Sequence, residues 1–181
     1  MRSLRMVAAA AFIVAPALLQ GQTPTPAQAT GYRKELIGQL DDAEQKLVAL
    51  CKAMPQDKFI WRPGPGVRSV SEVFMHVAQS NLAIPGIAGV AAATNVRIPP
   101  GADTTVVDKV KIADYLTKSF EHAKNAVMEI SDAQMDAKVN LFGQPSTKRG
   151  VMLLVATHAH EHLGQSIAYA RMNGVVPPWS K

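Results

Sequence analysis

Apolar residues recur at three- and four-residue spacing through four long stretches of this chain, with clusters of Pro and Gly between them. A period near 3.6 puts such residues on one face of a helix, and that face must be covered by another element. The first stretch runs from about Tyr32 to Met54, with Leu36, Leu40, Ala43, Leu47, Leu50 and Cys51 on its stripe. The second opens at Ser69-Val70-Ser71-Glu72, a capping box with Ser69 as N-cap and Glu72 reaching back to it. It continues through Val73, Val77, Ala78 and Leu82 to about Ala93, with a kink expected at Pro85. The third covers about Asp108 to Ile130, its stripe being Val110, Ala113, Leu116, Phe120, Ala123 and Val127. The fourth runs from Thr147 to Met172, with Met152, Val155, Leu163, Ile167 and Ala170 inward. Asn173-Gly174 ends it, and Pro177-Pro178 prevents resumption.

The intervals are as informative as the helices. Phe59 to Gly66 holds too many Pro and Gly for a helix or central strand and reads as a tight loop. Asn95 to Thr105, with Pro99-Pro100-Gly101, exceeds the ~2–8 residues usual between neighbouring antiparallel helices and suggests a crossover. Ser131 to Pro145 reads as irregular, with a turn of helix at about 132–137 and a short extended piece at Val139 to Gly143. The chain carries no internal repeat and no phosphate-binding glycine loop. The expected fold is therefore all-α: a four-helix bundle at residues 30–181, with a long crossover connection between helices two and three.

Residues 1–29 read differently. Arg2 and Arg5 precede an apolar run from Met6 to Leu19, and Ala27-Gln28-Ala29 offers a small-x-small cleavage site. That order of parts is a secretory signal peptide. A cut after Gly21 is a second possibility, and an uncleaved anchor is disfavoured by an apolar run short of the usual ~20 residues. The expectation is a periplasmic or secreted protein with no stable membrane anchor after cleavage. Removing these residues lowers the net charge from +5 to +3, because two arginines and no acids are lost. An excess this mild, spread along the chain, gives no case for a nucleic-acid partner. Cys51 is the one cysteine, so no internal disulfide forms, and its place on a helical stripe marks it as a small buried hydrophobe.

The fourth stretch carries the chemistry. Three of five histidines fall within His158-Ala159-His160-Glu161-His162. His158 and His162, at i and i+4, stand on one helix face, as two imidazoles must to share a metal ion. His160 lies roughly 200° round from each and faces outward. A three-ligand site needs a group from elsewhere, and His76, in the first two turns of helix two, is the best candidate. Three histidines leave a coordination position free, which is the open, catalytic kind of zinc site; nickel or iron suits imidazole equally. Gln165 lies one turn beyond His162, placed to reach a metal water or substrate, or to make an ordinary helix hydrogen bond. Glu161 is either a general base at the site's edge or a solvated carboxylate, and Glu72 either orients His76 or serves only the cap. His122 lies off its helix stripe and is expected in solvent. There is no His-Glu-x-x-His motif.

Phe59-Ile60-Trp61-Arg62-Pro63, then Ser69-Val70-Ser71-Glu72 and His76, resembles the loop and second helix of the DinB-like family of metal-dependent enzymes. His158-Ala159-His160-Glu161-His162-Leu163-Gly164-Gln165, with Gly174 and Pro177-Pro178, is similar to that family's last helix and tail. The likeness covers nearly all of residues 30–178. It implies a four-helix bundle with a crossover, and a divalent metal held by His76, His158 and His162. Leu163 departs from the pattern, since many members carry a basic residue there.

For activity the resemblance implies thiol S-transfer or thiol-dependent isomerisation in some relatives. Export weakens a reading that depends on a cytoplasmic thiol cofactor, so a metal-assisted hydrolase stands beside it. The alternative from another class is a non-catalytic module that binds metal or a small ligand; a metal-free bundle with packed histidines is a third. The apolar faces would also serve to pair two bundles as a homodimer.

Overall fold

The computed structural model describes residues 25, 26 and 29–180, so the expected signal peptide lies almost wholly outside the described residues. Four long helices carry the fold: α1 (Gly31–Ala53), α2 (Val70–Ala83), α4 (Lys109–Glu129) and α5 (Lys148–Met172). A single turn, α3 (Ala102–Thr105), interrupts the long connection between α2 and α4. Both α1 and α2 pack against α4 and α5, which places α1 across the bundle from α2 and α4 across from α5. Among the described residues no helix is long and apolar enough to cross a membrane.

The expected stripes form the core. Leu40, Leu47 and Leu50 of α1 meet Phe74 and Val77 of α2, Ile112, Leu116 and Phe120 of α4, and Met152 and Val155 of α5, all almost fully buried. Burial of side chains this size contributes about 1.5–3 kcal/mol each. Val110 is a correction: it is 74% exposed. Six residues before Leu116, it stands about 240° round the helix from it, and Ile112 takes the inward place instead. Cys51 is buried, as expected, and burial pushes its thiol up to about 12.

Helix ends follow local chemistry. Ser69 Oγ accepts from Glu72 N while Ser69 N donates to Glu72 Oε2, completing the capping box of α2. The loop before it is tied down by Ser71 N to Phe59 O and Val70 N to Trp61 O. Helix α2 stops at Ala83, ten residues earlier than its apolar pattern predicts. Pro85 then sits at the start of a 3-10 helix, Ile84–Ala88, which Gly89 closes in the left-handed region at φ 82°. Helix α5 ends in a full Schellman motif: Val175 N donates to Ala170 O and Gly174 N to Arg171 O.

One feature exceeds the expected architecture. Lys138–Leu141 (β1) pairs antiparallel with Gln144–Thr147 (β2), Leu141 opposite Gln144. Only the first strand carries an apolar signal; Gln144-Pro145-Ser146-Thr147 reads as loop. The two linking residues, Phe142 and Gly143, have φ of 51° and 88°, the type I′ pattern that matches strand twist. Phe142 is the single non-Gly residue at positive φ among the described residues, a conformation that costs about 1–2 kcal/mol for an L side chain. The hairpin packs on the 3-10 helix that follows α2.

Candidate metal centre

The seam between α2 and α5 brings His76 to His158 and His162. The ring centroids are 4.9 Å apart for His76 and His158, 4.7 Å for His76 and His162, and 4.5 Å for His158 and His162. One ring nitrogen from each lies within 4.8 Å of the others. His158 and His162 are together because they are one turn apart; His76 joins them because the capping box and the tied loop fix where α2 begins.

The donor set fits a metal ion. His76 Nε2 and His158 Nε2 are 3.1 Å apart. A tetrahedral zinc with ~2.0–2.1 Å bonds sets its nitrogen ligands roughly 3.3–3.4 Å from each other, close to that spacing. His158 Nδ1 is buried without a hydrogen-bond partner among the described residues. Burial pushes His76 down to about 4, helped by the Arg68 guanidinium and the two neighbouring imidazoles, while Asp103 pulls the other way. Burial and His162 lower His158 as well. Both rings are therefore neutral near pH 7, the form that donates a lone pair.

Behind the rings runs a polar relay. His162 Nδ1 lies 2.8 Å from Gln165 Oε1, which can only accept, so Nδ1 carries the proton and Nε2 is free. Gln165 Nε2 donates to the Tyr169 hydroxyl at 3.0 Å. The Tyr169 ring meets Trp61 edge-on at 5.4 Å, so the relay is braced by the Pro/Gly loop. Of the two roles open to Gln165, the hydrogen bond is observed, and it is made to a member of the triad. Tyr169 and Trp61 are additions: Tyr169 is four residues past Gln165, a spacing that signals contact, whereas Trp61 is marked in the sequence only by the loop's family resemblance.

The remaining candidates sit apart. His160 Nε2 bonds Gln39 O of α1 at 3.1 Å, outward as expected. Glu161 is exposed. Both Glu72 oxygens are engaged, by Ser69 N and by Arg62, so it serves the cap; burial pushes its carboxyl up, but these bonds prevail and hold it below the usual range. His122 corrects the expectation of a solvated ring: it is half-buried, its Nε2 has no partner among the described residues, and burial lowers its pKa.

Beside the triad lies a cavity of about 560 Å³ with His76 and His158 in its wall. Ala83, Ile84, Ile87, Phe142 and Leu154 line it, and Gln79 and Ser80 are its other polar groups.

The sequence model of the DinB superfamily matches residues 39–166, which takes in all three histidines. A DinB-like protein from Bacillus cereus superposes with a TM-score of 0.65 at 15% identity, covering 80% of this chain and 95% of that one. A conserved protein from Enterococcus faecalis gives 0.65 at 17% identity, covering 79% and 97%. A DinB-like protein from Bacillus subtilis gives 0.57 at 18%, covering 77% and 92%. At these identities the likeness is one of fold. No curated protein matches the chain significantly. A family match over most of the length, together with the shared fold, shows that this chain belongs to the DinB superfamily.

Proposed function

We propose that this protein is an exported, metal-dependent enzyme, a hydrolase or thiol transferase acting on a small molecule. His76, His158 and His162 would hold the divalent ion, with zinc, nickel and iron all suited to imidazole. The observation that carries the reading is three imidazoles, each with a ring nitrogen within 4.8 Å of the others, beside an apolar cavity. When bound, such an ion supplies Lewis acidity toward a carbonyl, a water or a thiol. The chain's own residues do the rest: Gln165 keeps the His162 proton on Nδ1, and the apolar wall excludes water and holds the substrate body.

Zinc-, nickel- and iron-loaded protein should be screened against esters, amides and thiol–electrophile pairs. Turnover lost on His158→Ala supports the reading; no turnover with any ion removes its enzymatic part. Export is tested by the mass of the protein recovered from the periplasm or medium, which should lack about the first 29 residues.

A second reading, a non-catalytic module for metal or a small ligand, is favoured by one observation. Among the described residues no carboxylate bonds the three rings, and Glu161 is exposed. A large rise in melting temperature with metal, without turnover, would favour it.

A further inference from the structure

Phe142 is out of place by every local criterion. It occupies the first central position of a type I′ turn, where Asn or Asp is preferred, at a φ of 51°. Its ring is 74% exposed. Strain and apolar exposure at one residue gain nothing for the hairpin, and such local conflicts mark functional positions. Phe142 lines the same cavity as His76 and His158.

The cavity wall sets the ligand chemistry. Ala83, Ile84, Ile87 and Leu154 are apolar, Gln79 and Ser80 are neutral, and no lining residue has a fixed charge. A charged body would lose its hydration there without a partner. The volume, about 560 Å³, lies within the ~300–1,000 Å³ of small-molecule sites.

We propose that this cavity binds the apolar body of a neutral small molecule, with Phe142 closing over it and the molecule's reactive head directed to the three histidines. This rests on the metal-dependent reading above for the head alone; the body is recognised with or without metal.

The test uses the full mature chain, metal-free and zinc-loaded, titrated with n-octanol, n-butanol and octanoate while the methyl signals of Ile84, Ile87 and Leu154 are followed by NMR. Each buried methylene contributes a factor of about three to four in affinity. Octanol should shift these methyls saturably in both forms and bind at least about tenfold tighter than butanol. Phe142→Asn, which suits the turn, should weaken octanol about fivefold and leave zinc content unchanged. Ala83→Asp, at an exposed wall position, should weaken octanol about tenfold or more. Unshifted methyls, equal affinity for the two alcohols, undiminished octanol binding by both variants, or tighter octanoate than octanol in the metal-free chain would each overturn the proposal. Octanol binding without zinc retention would sink the metal reading and leave the apolar site standing; zinc retention without octanol binding would do the reverse.

Discussion

At the residue scale the site depends on which nitrogen of each ring is free. Gln165 Oε1 fixes the His162 proton on Nδ1, and partners behind metal-bound histidines are typically worth ~10–100-fold in affinity. Gln165→Leu keeps all three rings, so zinc affinity, read by chelator competition, should fall by about that factor while helical content stays constant. Unchanged affinity would make the contact incidental. The low pKa of His76 gives a second expectation. The unfolded ring titrates near 6.5 and the folded one at about 4, so between these values the unfolded chain binds a proton that the fold refuses. Stability of the metal-free protein should thus hold above about pH 6.5 and decline from there toward about pH 4, with His158 and His122 adding in the same direction. A melting temperature level down to pH 4.5 would show these rings to be solvated in the fold. The triad itself was legible because i,i+4 spacing puts two rings on one face. The tautomer was not, since one spacing of Gln165 served two partners equally.

At the element scale, ends matter more than middles. The capping box of α2 sets the height of His76 relative to α5. Ser69→Ala should lower stability by about 1 kcal/mol, some 2–4 °C in a domain this size, and a circular-dichroism melt reads it. A change under half a degree would mean the tied loop fixes the helix start alone. The hairpin predicts the opposite sign. Phe142→Asn relieves positive-φ strain and should raise stability by about 0.5–1 kcal/mol, while Gly143→Ala should lower it. A destabilised Phe142→Asn would mean the ring packs on the fold in solution. Stripes such as Leu36 to Cys51 were readable because period alone decides them. The early end of α2 was not, because apolar residues continue past Pro85 although the proline removes the hydrogen bond that would carry the helix on. The second strand was hidden for a similar reason: its polar residues are held by pairing with β1, which composition does not record.

At the scale of the whole molecule, the bundle's function is to set one seam, that between α2 and α5. The all-α class and the long connection followed from four stripes and their spacers. Which helices lie diagonally did not, because each stripe specifies that a face is covered without naming its cover. That pairing is what converts His76 from a lone histidine into part of a cluster with His158, 82 residues away, and with His162 one turn further on. The proposed function requires that this convergence make one metal site. The direct measurement is elemental analysis of residues 30–181, purified without a histidine tag, beside His76→Ala and His158→Ala, after reconstitution with zinc, nickel or iron. About one tightly held ion per chain is expected in the parent, lost in both variants while helical content is retained. An unloaded parent, or variants that keep the ion, would contradict that requirement.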